Sequence, residues 1–249
     1  MNERRKSILN LLDVKNVLSL QELVEHCKVS EATIRRDLAL LEEKNLIYRT
    51  HGGAARKQSA RGLEPTITTK KNEFTYDKKQ LAEYVTNNFI ENGQTIYLDA
   101  GTSTYDMIDY LKNKNVTVVT NSSYHLMKLI ENKIHTIVLG GVIKHSTQAI
   151  VGMTAYDQLS KYSFDVCFVG CNGVDKDFGV STADENEAIL KKCALKHSKK
   201  KYILADQSKF NHRKFQKFAE IEDATIVSYK APKEYHYLHN FIIINKEKS

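Results

Sequence analysis

The stretch Val29–Ala54, VSEATIRRDLALLEEKNLIYRTHGGA, decides how the first quarter of the chain folds. Ser30 is placed to cap a helix by accepting a backbone N–H, and Glu31 then sits at the positive end of the helix dipole. At about 100° per residue, Ile34, Leu38 and Leu41 fall on one stripe, Thr33 and Arg36 lie opposite it, and Arg35 is on the flank. The preceding LSLQELVEHCKVS predicts a second helix with Leu20, Leu23 and Val24 inward, followed by a short turn. Two helices joined this closely, the second bearing outward arginines, form a helix-turn-helix. Leu46–Thr50 is strand-like, and Gly52-Gly53 permits a sharp reversal, so the stretch ends in a wing. Paired arginines alone would suit an ordinary solvated helix face. With the cap, the short preceding helix and the Gly-Gly wing, they predict contacts to DNA through Ser30, Thr33, Arg35, Arg36, Arg49, His51, Gly52 and Gly53. An arginine in the major groove grips guanine O6 and N7 bidentately or binds phosphate, while the wing lies near the minor groove or the backbone.

The chain has 249 residues, 41% of them apolar and 27% charged, which suits a globular protein with a sizeable core. It contains no apolar run of about 18 residues, the length a membrane span needs. MNERRKSILNLLDVKN is too charged for a signal peptide. Cys27, Cys167, Cys171 and Cys193 form no CxxC pair and have no histidine at zinc spacing. They are expected to be reduced and mostly buried, in a cytoplasmic protein with no metal and no cofactor. The net charge is +7, and up to residue 75 there are 14 Lys and Arg against 10 Asp and Glu. The excess is densest where a nucleic-acid module would put it.

Ala54–Phe74 is polar, basic and without apolar periodicity, with Pro65 within it, and reads as a linker. The expected division is a winged helix-turn-helix over 1–57, a linker over 58–73 and a second domain over 74–249. In that second domain TIYLDA, VTVVT, HTIVLGG, FDVCFVG, KYILAD, ATIVSY and FIIIN alternate with helical patterns. Continuous apolar strands between helices predict an α/β domain with a mainly parallel sheet, whose ligands sit beyond the carboxyl ends of strands.

ERRKSILNLL, the Val29–Ala54 stretch, LDAGTST, VVTNS, LGG, DVCFVGCNGV and ADQSKF resemble, in this order, the signature segments of DeoR-type bacterial transcriptional regulators. The block from TIRRDL to HGGA is the most specific of them. Asn45 stands where that family usually has glycine after the recognition helix, a substitution the left-handed conformation tolerates. The linker also departs from the family pattern. The resemblance implies a winged helix-turn-helix followed by a sugar-phosphate isomerase-like sensor, assembled as a homo-oligomer, dimer or tetramer. Paired half-sites also favour such assembly, because one recognition helix reads only a few base pairs.

LDAGTST ends a strand, turns at Gly101 and enters a helix, so backbone N–H groups and the hydroxyls of Thr102, Ser103 and Thr104 can cradle a phosphate. Thr120, Asn121 and Ser122 repeat the design after the next strand, and Gly140-Gly141 follow the third. Three such turns at successive strand ends predict one anion site, with Lys209 of ADQSKF supplying positive charge and Asp206 beside it. DeoR-type sensors resemble ribose-5-phosphate isomerase, which keeps open an alternative: an isomerase-like enzyme with an appended DNA-binding domain. Its Asp-Gly-Ala-Asp-Glu pattern falls on Val169-Gly170-Cys171-Asn172-Gly173, where the glycine remains and all three carboxylates are absent. Asp99, Asp165, Glu185 and Glu187 are candidates for sugar hydroxyls, with Asn172 in the same site, but they restore no acid–base pair. The expectation is therefore a regulator without catalytic residues. It would be a repressor of sugar-catabolism genes that binds a double-stranded operator under the control of a phosphorylated sugar.

Overall fold

The computed structural model describes residues 2–15, 17–44, 46–50, 52–56, 67–71 and 73–245. The chain divides into two compact units, Met1–Leu63 and Glu64–Ser249. Asn45, His51, Pro65 and most of the expected linker lie outside the described residues.

The first unit runs α1 (Glu3–Lys15), β1 (Val17–Ser19), α2 (Leu20–Cys27), α3 (Glu31–Glu43), β2 (Ile47–Thr50) and β3 (Gly53–Arg56). Ser19 starts α2 with a capping box: its hydroxyl accepts the Glu22 N–H at 3.2 Å, and the Glu22 carboxylate accepts the Ser19 N–H at 2.9 Å. Lys28, left-handed at φ 51°, ends α2, so only Lys28, Val29 and Ser30 separate it from α3. Ile8, Leu12, Leu18, Leu23, Ile34, Leu38, Leu41 and Ile47 close into one small core. The strands form an antiparallel sheet in the order β1-β3-β2. The sequence reading had not foreseen β1. It explains Gly53, where a Cβ would lie 2.0 Å from the Leu18 carbonyl oxygen of β1. The close approach of a neighbouring strand demands glycine there.

The second unit begins with α4 (Ile67–Lys71) and α5 (Thr75–Phe89), then β4 (Thr95–Leu98), α6 (Thr102–Leu111), β5 (Thr117–Thr120), α7 (Leu126–Glu131) and β6 (His135–Val138). A hairpin follows, β7 (Val142–Lys144) and β8 (Ala149–Val151), then α8 (Met153–Leu159), β9 (Phe164–Gly170), β10 (Gly173–Asp175), β11 (Gly179–Thr182) and α9 (Glu185–Lys196). The chain continues through β12 (Ser198–Leu204), β13 (Gln216–Ala219), β14 (Thr225–Ser228) and β15 (Phe241–Ile243). Seven strands form a parallel sheet in the order β15-β14-β12-β9-β4-β5-β6. Alternation along the strands sends Ile96, Leu98, Val166 and Phe168 into the core beneath α5 and α6, and Tyr97, Cys167 and Val169 into the core beneath α8 and α9. Burial on both faces is why these strands read as continuous apolar runs. The β7–β8 hairpin and an antiparallel β10-β11-β13 sheet are additions that the alternation of strands and helices did not announce. Strand order reverses between β4 and β9. A crevice opens beyond their carboxyl ends at such a reversal.

Candidate functional site

In the first unit α3 turns Ile34, Leu38 and Leu41 inward and leaves Arg35 and Arg36 exposed. Ser30 accepts the Thr33 N–H at 3.4 Å, and its hydroxyl lies 3.0 Å from that of Thr33. Arg35 is folded back along the helix onto Glu31, with Nη2 at 2.6 Å from the carboxylate. Among the described residues no carboxylate pairs with Arg36, which leaves that guanidinium available to a ligand. Asp37, next in sequence, is buried between two guanidiniums of α1, Arg4 Nε at 2.5 Å and Arg5 Nε at 3.0 Å. The TIRRD motif therefore divides its charges: two arginines outward and an aspartate that locks α3 to α1. Arg49 and Gly52 are exposed on the wing, whereas Gly53 is buried against β1 and cannot touch a ligand with a side chain.

In the second unit the crevice holds Asp99, Gly101, Thr102, Ser103, Asn121, Asn172, Glu187, Asp206 and Lys209 together in one cavity, with Ile67, Lys70, Lys78, Tyr97, Thr147 and Lys191 also on its walls. Asp99, Gly101, Thr102 and Ser103 arrive where β4 gives way to α6, and Asn121 just after β5, while Lys191 reaches in from the middle of α9. The N-terminus of α6 has no side-chain cap, so the first N–H groups of the helix lack a side-chain partner where Thr102 and Ser103 line the crevice.

The carboxylates there are already engaged by protein donors to different degrees. Asp99 is almost wholly buried and accepts the Gly101 N–H at 3.0 Å, the Gly170 N–H at 2.7 Å, the Thr104 hydroxyl at 3.1 Å and the Lys191 ammonium. Burial opposes its charge, but Lys191 and the backbone N–H groups outweigh that and hold the carboxyl below its ordinary value. So many donors leave it no capacity for a sugar hydroxyl, and Asp99 is a brace between β4, β9 and α9. Asp206 is likewise kept below its ordinary value: burial works against the charge, and Lys209, the Ser208 hydroxyl and Lys78 prevail. Lys209 Nζ lies 3.0 Å from Asp206 and Lys78 Nζ lies 4.0 Å away. Lys78 is itself buried, and desolvation lowers its pKa despite Asp206. Glu187 takes Lys144 at 2.9 Å and the Thr147 hydroxyl at 2.8 Å on the same oxygen, pinning the β7–β8 hairpin to α9. Its other oxygen is not engaged by these two.

Several predicted residues belong to the walls rather than the lining. Thr104 is turned under the loop toward Asp99 and the Gly101 carbonyl. Thr120 accepts the Ser122 N–H at 3.1 Å, and Ser122 accepts the His125 N–H at 3.3 Å, so both support the β5 turn. Asn121 reaches the cavity, but Tyr97 OH donates to its Oδ1 at 2.9 Å and its Nδ2 donates to the Ile150 carbonyl at 3.2 Å. Gly140 packs on Gln158, and Gly141, at φ 148°, passes against the Val151 carbonyl, so this pair starts the hairpin instead of contacting a ligand. Asp165 sits at the opposite end of β9, bound to Lys199 and the Thr95 N–H, and Glu185 is exposed on the first turn of α9.

Lys70, Lys78 and Lys191 escaped the sequence reading because lysines on helices read as solvated charge. His125 escaped it too. It is fully buried, its Nε2 lies 3.1 Å from the Gly101 carbonyl, its Nδ1 has no partner, and desolvation pushes its pKa down to about 4 although the Gly101 bond opposes this. A neutral imidazole thus holds the loop that presents Thr102 and Ser103.

Comparison with known proteins agrees with this architecture. The family described as the DeoR-like helix-turn-helix domain matches residues 4–60, and the DeoR C-terminal sensor domain matches residues 73–229. The chain belongs to the DeoR family of DNA-binding transcriptional regulators. It is 43% identical over 227 residues to the uncharacterized HTH-type transcriptional regulator FruR of Bacillus subtilis, covering 91% of this chain and 90% of that one. It is 32% identical over 228 residues to the lactose phosphotransferase system repressor of Staphylococcus epidermidis, covering 90% of each. A ribose 5-phosphate isomerase structure from Plasmodium falciparum aligns with a TM-score of 0.40 at 17% identity, over 53% of this chain and 52% of that one. The relatives are named as regulators, and the chain is a regulator rather than an isomerase. No helix among the described residues is long and apolar enough to cross a membrane.

Proposed function

We propose that the protein represses sugar-catabolism genes and that a phosphorylated sugar in the β4/β9 crevice controls its grip on a double-stranded operator. One observation carries this reading: the uncapped start of α6 faces the same cavity as Lys70, Lys78 and Lys209, with Glu187 on another wall. A phosphate needs backbone N–H groups and ammoniums, and a sugar hydroxyl needs a carboxylate oxygen. In this reading residues 1–57 bind DNA, 58–73 link and 74–249 sense. Arg36 reads or grips DNA, Arg35 assists after leaving Glu31, and Arg49 lies along the backbone; His51 keeps the same assignment on sequence grounds alone. Thr102, Ser103 and Lys209 take the phosphate. A homo-oligomer, dimer or tetramer, pairs two recognition helices on one operator, and the protein works in the cytoplasm. The lactose system named for the staphylococcal relative is in keeping with sugar control.

A thermal-shift screen against pentose and hexose phosphates tests this, since a ligand at 100 times its Kd adds about 2.7 kcal/mol to the liganded unit. A stabilising sugar phosphate should also change mobility shifts on DNA upstream of the protein's own gene. Equal affinity for that DNA and random DNA at physiological salt would refute the DNA half. A screen in which no sugar phosphate raises the melting temperature would refute the sensing half.

A further inference from the structure

The short helix α4 is not explained by either domain. It lies between the two family matches, which end at residue 60 and begin at residue 73, and it follows closely on the first unit, which ends at Leu63. Its five residues are far too few to hold a helix unaided, since isolated helices shorter than about 12 residues are marginal in water. Its order therefore comes from contacts, and these converge on the crevice. Ile67 is buried on the cavity wall, and its N–H donates to the Ser146 carbonyl of the β7–β8 hairpin at 2.9 Å. Lys70 lines the cavity as well. Its carbonyl accepts Lys78 Nζ at 2.6 Å, and the Glu73 carbonyl accepts the same ammonium at 2.8 Å. On the side away from the cavity, Lys71 Nζ stands over the rings of Tyr105 and Tyr124, 5.2 Å and 5.7 Å from their centroids.

We infer that Ile67–Lys71, at the end of the linker, is an effector-contacting strap, and that occupancy of the crevice passes through it to the rest of the linker and so to the DNA-binding unit. The inference rests on the crevice being the effector site. Its physical basis is the Lys78 ammonium. That charge is buried, ties down the end of α4 through two carbonyls, and among the described residues pairs with a carboxylate only at 4.0 Å, beyond a hydrogen bond. An anion entering beside Lys70, Lys78 and Lys209 stabilises the buried ammonium form of Lys78, the form that makes these charge-assisted bonds, and meets Lys70 on the strap itself. Filling the crevice thus favours the docked strap, and by reciprocity a docked strap favours filling. The strap is a two-state element to which both ends of the chain can respond.

Hydrogen exchange on the full chain, with and without the sugar monophosphate that gives the largest thermal shift, tests the inference; inorganic phosphate serves as a second probe. The amides of residues 67–71 should exchange about fivefold or more slowly when the sugar phosphate is present, because local opening is suppressed. Lys71→Ala supplies the reciprocal test, since Lys71 is exposed and does not line the cavity. Loosening the strap from outside should weaken sugar-phosphate binding about threefold to tenfold and reduce protection of 67–71. Unchanged exchange in 67–71 alongside new protection at Thr102–Thr104 would overturn the strap and leave the crevice as effector site. So would wild-type affinity in Lys71→Ala. A wild-type chain that no sugar monophosphate stabilises would overturn the crevice reading and the strap together.

Discussion

The exposed face of α3 and the crevice are both built around a buried aspartate, yet they are assembled in opposite ways. Asp37 sits in the same helix as the arginines it serves, and its partners come from a single other helix. Asp99 is bound by Gly101 beside it in the chain, by Gly170 on β9 and by Lys191 on α9. The first arrangement is a local device on one amphipathic helix. The second is a junction of distant segments, and moving any one of them disturbs the cavity. It follows that DNA binding should be sensitive to single exposed residues, whereas the crevice should be sensitive to its buried braces.

The largest expected effect tests the junction. Lys191→Met leaves the Asp99 carboxylate buried without its cation, which should destabilise the second unit by about 3–5 kcal/mol. Thermal melting should register the loss. A melting temperature at the wild-type value would mean that the backbone N–H groups suffice for Asp99. Arg36→Ala should weaken operator binding by about 1–3 kcal/mol, or roughly fivefold to 150-fold, at unchanged melting temperature. Unaltered operator affinity would move the DNA contact to the wing.

Lys209→Ala should raise the effector concentration for half-response about tenfold, at the lower end for a charge-assisted contact because Asp206 already holds that lysine. Operator binding without effector should be intact. A response at the wild-type concentration would assign the phosphate to Lys70 and Lys78. The last effect concerns pH. His125 is neutral when folded, with a pKa of about 4 against the ordinary 6.5. The unfolded chain binds more protons between those values, so stability is complete above about pH 6.5 and falls as pH drops toward 4. Burial depresses His212 in the same direction, aided by Lys214 and Lys209, whereas Asp99 and Asp206, held below their ordinary 3.8, lose their stabilising contribution only as pH falls below about that value. His125→Gln keeps a donor for the Gly101 carbonyl and should flatten the slope by up to about 1.4 kcal/mol per pH unit. Melting curves from pH 7 to pH 4 with the wild-type slope would show that the imidazole is not what titrates.

Local pattern was enough to read the recognition helix, the wing and the α/β alternation, because capping, stripe spacing and strand burial are properties of neighbouring residues. VSEATIRRDL carries its own cap, its inward stripe and its outward arginines within ten residues. The strand-end turns were legible for the same reason: LDAGTST announces a loop entering a helix wherever it lies. What each polar group does was decided only by the tertiary structure. Asp99 looked like a ligand contact and is saturated by protein donors, Asn121 spends one acceptor and one donor on protein partners, Gly140 and Gly141 serve a hairpin, and Lys70, Lys78 and Lys191 looked like surface charge and line the cavity. A hydrogen-bond partner many residues away leaves no periodicity in the sequence, whereas an apolar stripe does. The identity of the elements is therefore written locally, and the division of labour among their polar groups arises only when the sheet brings the strand ends together.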